Sequence, residues 1–269
     1  MNSNSKQKIR RSFDKASLLY DRYADFQSEI GKVVTQRVIT ECRGGGIALD
    51  IGCGTGEITM ELVKLKIFNK VIACDISEGM LELTSRRHGG SSNLLPILAD
   101  VEDLPIQSGS IDLVVSSMAL QWVDDLYVAL QAIGQILKRD GRFVCATLGH
   151  GTFIELKEAF SAAWPEGKTK LDNVFYEFVE LEELKKIVEA CGMSGTVKCK
   201  AYKKKYTSFR HFLKTLKQVG AQNSNGFSSF GLGRREIMFR MEEEYHRRFS
   251  LEGGVIATYQ VLYIDAERQ

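Results

Sequence analysis

In the stretch ALDIGCGTGE, residues 48–57, an apolar run reaches an acid, Asp50, and then a glycine stands at every second position. Glycine lacks a Cβ and accepts positive φ, so Gly52, Gly54 and Gly56 mark a hard turn or a backbone that a ligand approaches closely. Two further acids end apolar runs. In VIACDIS the carboxylate of Asp75, about 20 residues beyond the glycines, is placed to accept hydrogen bonds from both hydroxyls of a ribose. In ILADVEDLPI the carboxylate of Asp100 can accept from an adenine amino group while the backbone of Val101 meets the ring nitrogens. A nucleotide is the first candidate ligand, and Asp75 alone also fits NAD. The dinucleotide fingerprint is G-x-G-x-x-G, however, and here the third glycine comes one residue early with Glu57 behind it. A carboxylate at that point disfavours a phosphate, so a nucleoside without phosphates is the better match.

These residues need a scaffold that brings strand ends together. Short apolar runs at about 47–51, 70–75, 94–98, 111–116 and 142–148 alternate with helical patterns near 56–66, 78–87 and 124–138. That order predicts an α/β fold with a doubly wound parallel sheet and helices on both faces. Before the first strand, Ile9, Phe13, Ala16, Tyr20 and Tyr23 recur at helical spacing, and Ile30, Val33, Val34, Arg37 and Val38 predict a second helix. After the fifth strand come helices near 153–163 and 181–190, the extended run GTVKCKAYKKKYTS, helices near 208–219 and 234–248, and a last strand in VIATYQVLYI. With three prolines and no flexible linker tract, residues 1–269 read as one domain. It divides into N-terminal helices (1–42), a ligand-binding core (47–148) and substrate-side helices with the last strands (149–269).

Composition excludes several classes. Thirty-six basic and 34 acidic residues leave a net charge of +2, which gives no global reason to expect nucleic acid. No apolar run approaches the roughly 18 residues of a membrane span, and the polar start MNSNSKQKIRRSF does not read as a secretory signal. The six cysteines are scattered without a C-x-x-C pair, as in a cytoplasmic protein with reduced thiols and no metal site.

The set LDIGCGTG, CDIS, ADVEDLP, DLVVSSMALQW and LKRDGRFV resembles the class I S-adenosylmethionine-dependent methyltransferases throughout residues 47–148. The resemblance implies a mostly parallel, seven-stranded, Rossmann-like sheet with a helical N-terminal extension and a helical insertion near the C-terminus. It assigns S-adenosylmethionine to Asp50, Gly52, Gly54, Gly56, Asp75, Ile76, Met80, Asp100, Val101 and Ser116. The flanking segments FDKASLLYDRYADFQ, SSMALQWVDDL, TLGHGTFIELKEAF, LKQVGA, GLGR and TYQVLY are similar to the biotin-pathway malonyl-carrier-protein O-methyltransferases. That resemblance implies methylation of the free carboxylate of a malonyl thioester on acyl carrier protein. His150 and the Gly/Ser-rich stretch 221–233 depart from the pattern.

A malonyl carboxylate is already ionised at neutral pH, so attack on a sulfonium methyl needs alignment and exclusion of water, and no general base is expected. Candidates for the substrate pocket are Tyr20, Tyr23, Gln27, Gln121, Trp122 and Tyr259; Tyr20 and Tyr23 can equally be core aromatics, whereas Gln121 and Trp122 follow the fourth strand at the ligand edge of the sheet, with packing the alternative for Trp122. A buried carboxylate needs a cation, for which Arg234 comes first and Lys217 second. The segment from Lys198 to Lys217 holds no acid. Lys203, Lys204, Lys205, Arg210 and Lys214 in it form a candidate docking surface for the acidic carrier, or a solvated basic face. Two other readings stand beside this one: a methyltransferase for a small-molecule carboxylate or quinone-type carbon, and a non-catalytic cofactor-binding partner.

Overall fold

The computed structural model describes residues 3–41, 44–88, 90–164, 177–219 and 234–269. These divide into two compact units, Met1–Thr147 with Glu180–Cys199 and Leu262–Gln269, and Leu148–Val179 with Lys200–Val261.

In the first unit the apolar runs become parallel strands. Strand β1 (Ile47–Ile51) buries Ala48, Leu49, Asp50 and Ile51, and β2 (Lys70–Asp75) buries every residue after its first. Such unbroken burial follows from helices covering both faces of a parallel sheet. Leu49 pairs with Ile72 of β2 on one side and with Val114 of β4 (Ile111–Ser117) on the other. With β3 (Leu94–Leu98), β5 (Leu137–Leu148), β6 (Met193–Tyr206) and β8 (Gly254–Arg268), the order is β3-β2-β1-β4-β5-β8-β6. The chain turns to opposite sides after β1 and β4, so a crevice opens at their carboxyl ends.

Helices α3 (Glu57–Leu65), α4 (Glu78–His88) and α5 (Leu126–Ile136) connect these strands. Asp125 caps α5, accepting from the amides of Tyr127 (2.9 Å) and Val128 (3.2 Å). Ahead of the sheet, α1 (Ser3–Ala16) and α2 (Asp25–Glu41) flank a 3-10 turn at Tyr20–Arg22, and α2 buries Ile30, Val34 and Val38. Helix α7 (Leu181–Ala190) completes this unit, and Arg142 pairs with Asp265 of β8.

Local details differ from the sequence reading. Tyr20 and Tyr23 do not extend the face of α1, because the chain tightens into 3-10 hydrogen bonds from Leu19 N to Ala16 O and from Tyr23 N to Tyr20 O. The helix expected at 124–138 ends at Ile136, and β5 starts five residues before the expected 142. Leu137 pairs with Ile111, and the irregular LKRDG stretch carries Asp140 at φ +61.

The second unit contains α6 (Ile154–Ala163), α8 (Phe209–Gln218) and α9 (Arg234–Phe249). Tyr245 of α9 stacks on Phe209 and Phe212 of α8, with centroids 4.8 and 6.0 Å away. A two-residue strand, β7 (Ser250–Leu251), forms an unexpected hairpin with β8. Its turn residues Glu252 and Gly253 both have positive φ, +47 and +77, which matches the twist of adjoining strands.

Candidate functional site

The three alternating glycines serve different ends. Gly52 has φ +67, and a Cβ there would lie 2.2 Å from Ala119 Cβ. Gly56 has φ +86, and its Cβ would lie 2.8 Å from the Thr84 hydroxyl. Both are held by packing. Gly54, at φ +54, has nothing within 4 Å of its Cβ position, so its backbone faces open space.

Asp75 stands beside that opening. Its Oδ2 accepts from Gly54 N (2.9 Å) and its Oδ1 from Ser77 N (2.8 Å). Burial pushes this carboxyl above its ordinary range, and the backbone N–H donors oppose the shift. Asp50 is almost wholly buried, and the Thr59 hydroxyl donates to its Oδ2 at 2.6 Å. Burial raises the Asp50 carboxyl to about 7, and the charge of Asp75 adds to the rise.

Two cavities meet at this loop, and Tyr20, Gly52, Gly54 and Ser117 line both. The first adds Asp75, Ile76, Met80, Asp100 and Val101. Its cover comes from α1: Lys6 Nζ reaches Asp100 Oδ2 at 2.6 Å and Glu102 Oε2 at 2.5 Å, and Phe13 meets Trp122 edge to face at 5.8 Å. Glu102 also accepts from the amides of Asp124 (3.2 Å) and Asp125 (2.9 Å), which ties the loop before α5 to the same corner. The second cavity adds Asp50, Gln27, Ser28 and Glu57, with Ser28 Oγ donating to Glu57 Oε1 at 2.6 Å. Tyr20 is half-buried, and its hydroxyl is pushed up by burial and by Asp75, Asp21 and Glu57.

These groups fit an adenine nucleoside that carries an amino-acid arm. Apolar Ile76 and Met80 offer faces to a ring, Asp75 and Asp100 offer acceptors, and Gly54 leaves room along the backbone. Ser117 Oγ is buried, lines both cavities, and has no hydrogen-bond partner among the described residues. A bound polar group would satisfy it. No group of three or more His, Cys, Asp or Glu that could hold a metal occurs among the described residues.

Other expected residues lie elsewhere. Ser116 is fully buried and donates to Ile51 O at 2.9 Å, so it is its neighbour Ser117 that faces the cavities. Gly56 and Tyr23 line neither cavity. Gln121 lies next to Trp122 but spends its amide on Met118 O (2.7 Å) and accepts from Thr147 Oγ1 (3.1 Å). In the second unit Tyr259 is buried, its hydroxyl 2.6 Å from that of Tyr206 and its ring 4.8 Å from Phe153. Lys217 is exposed on α8, and the side chain of Arg234 and the stretch 221–233 lie outside the described residues. Within the basic run, Lys203 and Lys214 are exposed and Lys204 is half-buried. Lys205 reaches Glu252 O (2.9 Å) and Oε2 (3.3 Å), while Arg210 holds both oxygens of Glu242 at 2.8–2.9 Å.

Lys6, Glu102 and Ser117 were not picked out from the sequence. Lys6 and Glu102 lie on segments far apart in the chain, and adjacent serines on a strand differ only in the face that the fold gives them.

A doubly wound sheet with a glycine turn after β1 and acids at the ends of β2 and β3 defines a Rossmann-like methyltransferase, and the family model for a methyltransferase domain matches residues 49–145. The YcgJ protein of Bacillus subtilis shares the fold, with a TM-score of 0.63 at 16% identity over 88% of this chain and 99% of that one. Geranyl diphosphate C-methyltransferase from Streptomyces coelicolor A3(2), solved with Mg2+, geranyl diphosphate and S-adenosyl-L-homocysteine, shares it with a TM-score of 0.54 at 13% identity, over 88% and 79% of the two chains. The chain belongs to the malonyl-[acyl-carrier protein] O-methyltransferase family: it is 31% identical to the member from Hahella chejuensis over 256 residues, 95% of this chain and 88% of that one. No helix among the described residues is long and apolar enough to cross a membrane.

Proposed function

We propose that this chain transfers the methyl group of S-adenosylmethionine to the free carboxylate of a malonyl thioester on acyl carrier protein, an early step of biotin synthesis in the cytoplasm. The observation that carries the reading is the convergence of Gly54, Asp75 and Asp100 on one cavity in a chain whose likeness to the Hahella chejuensis enzyme runs through 95% of its length. The cofactor supplies an electrophilic methyl on a sulfonium, and the products are a methyl ester and a thioether.

The residues of the chain bind and align. Asp75 accepts from the ribose hydroxyls, Asp100 from the adenine amino group, and the Val101 backbone meets the ring edge. Ile76 and Met80 pack against the base. Asp50 faces the second cavity, where a carboxylate suits the ammonium of an amino-acid arm. Tyr20, at the meeting of the two cavities, borders the reacting centre, with Trp122 and Gln27 on either side. Arg234 and Lys217 are the proposed partners of the substrate carboxylate. Because the nucleophile is already ionised, catalysis rests on orientation and on water exclusion by α1, and orientation alone can contribute roughly 7–11 kcal/mol. The lysines of β6 and α8 guide the acidic carrier.

The test uses cofactor labelled in the methyl group, offered with malonyl-carrier protein, malonyl-coenzyme A or free malonate. Base-labile label on the carrier thioester is expected. Label on free malonate at the same efficiency supports a small-molecule methyltransferase instead, and no transfer to any of the three overturns the reading.

A further inference from the structure

The segment between α1 and α2 carries Tyr20, yet it has little apolar anchorage. Leu18 is 80% and Leu19 is 39% exposed, so the side chains just before Tyr20 give the turn only a weak apolar hold. Polar contacts do the holding. Arg87, in the last turn of α4, pairs through Nη2 with Asp21 Oδ2 and donates through Nη1 to Thr55 O at 2.9 Å. Thr55 Oγ1 in turn donates to Asp21 Oδ1 at 2.7 Å. The three residues close a ring. It joins the 3-10 turn, the glycine loop and α4, which are far apart in sequence, and it sits one residue from Tyr20 on one side and one residue from Gly54 on the other.

We propose that Asp21, Arg87 and Thr55 form a clasp that positions Tyr20 where the two cavities meet, making Arg87 a positioning residue for methyl transfer. The inference rests on the methyltransferase reading and adds to it the parts that set Tyr20. Both oxygens of Asp21 are engaged, one by the guanidinium and one by the Thr55 hydroxyl, so the turn is fixed in direction as well as in distance. Arg87 bonds the Thr55 carbonyl with its second nitrogen, which ties the glycine loop to the same geometry. An exposed ion pair alone contributes little to stability. Here the pair acts on geometry, and the consequence falls on turnover more than on folding.

The experiment compares the unmodified enzyme with Arg87→Met, Asp21→Asn, Tyr20→Ala and the Arg87→Met/Tyr20→Ala double variant. Amide hydrogen exchange at Arg22 and Tyr23 reads the clasp without any substrate, and Arg87→Met is expected to speed it at least tenfold. In methyl transfer to malonyl-carrier protein, Arg87→Met is expected to lower kcat about tenfold or more. In the Tyr20→Ala background the same substitution lowers kcat less than twofold, because the residue through which it acts is gone. Asp21→Asn, which keeps an acceptor for Thr55 but loses the charge, falls between the unmodified enzyme and Arg87→Met. Unchanged exchange in Arg87→Met overturns the clasp, and losses that multiply in the double variant overturn the action through Tyr20. If the unmodified enzyme transfers nothing to the malonyl carrier, the substrate reading fails, and exchange at Arg22 and Tyr23 still decides whether the clasp exists.

Discussion

Gly52 and Gly54 both have positive φ, +67 and +54, but their surroundings separate what alanine does at each. A side chain in left-handed backbone costs about 1–2 kcal/mol at either position. At Gly52 the new methyl would also lie 2.2 Å from Ala119 Cβ, a contact relieved only by moving the loop or the segment after β4. Overpacking of that kind adds about 1–3 kcal/mol. With roughly 2–4 °C lost per kcal/mol for a chain of this size, Gly52→Ala melts roughly 2–12 °C below Gly54→Ala without ligand. At Gly54 the methyl meets no protein atom within 4 Å, but it stands in the cavity beside Asp75, the proposed cofactor site. S-adenosylhomocysteine affinity therefore falls at least tenfold in Gly54→Ala, about 1.4 kcal/mol. Thermal unfolding followed by circular dichroism and titration calorimetry measure the two effects separately. A Gly54→Ala variant that binds as tightly as the unmodified chain would falsify the close approach, and equal melting of the two variants would refute the packing argument at Gly52.

Asp75→Ala weakens S-adenosylhomocysteine binding by about 1–3 kcal/mol in calorimetry, since hydrogen-bonding groups on the ligand lose a buried acceptor; unchanged affinity removes Asp75 from the ribose site. The Asp50 carboxyl sits at about 7, above its unfolded value near 3.9, so the native chain holds an extra proton between those values and stability falls as pH rises through them. Asp50→Asn, which keeps an acceptor for Thr59, should flatten the ligand-free melting profile between about pH 5 and 7 and raise melting near pH 8; a profile parallel to that of the unmodified chain contradicts this. Reversing Lys203, Lys204 and Lys214 to Glu together raises KM for malonyl-carrier protein and reduces its salt dependence, with turnover of a short malonyl thioester nearly unaffected; equal loss on both substrates moves the docking surface elsewhere. The rate of methyl transfer levels off above the substrate carboxylate pKa, and a chemical step that requires a side-chain base titrating near neutrality disproves the base-free mechanism.

Much of the core was legible because its signals are local. The runs at 47–51, 70–75 and 94–98 became β1, β2 and β3 with the same ends; β1 and β2 are buried nearly throughout, as parallel strands covered on both faces are, while β3 lies at the sheet edge with Leu95 and Leu98 exposed and is legible only as a short apolar run. The glycine spacing and the acids at strand ends were legible for the same reason: positive φ and strand termini are properties of neighbouring residues. The basic run gave a weaker signal. Composition shows its charge, but Glu242 and Glu252, which neutralise Arg210 and Lys205, arrive from other segments.

What the amino-acid order determined by itself, then, was the succession of elements and the place in that succession of the glycine turn and the strand-end acids. Only tertiary packing separated Gly54, open to the cavity, from Gly52, closed against Ala119, although both have positive φ. It also chose Ser117 over Ser116, because side chains of successive strand residues point to opposite faces and the sheet's neighbours decide which face is filled. Lys6 meets Asp100 across 94 positions of sequence, and Arg87 meets Asp21 across 66. Contacts of that range have no periodicity to betray them; they exist because α1, the 3-10 turn and α4 are packed around one crevice, and their geometry is fixed by that packing.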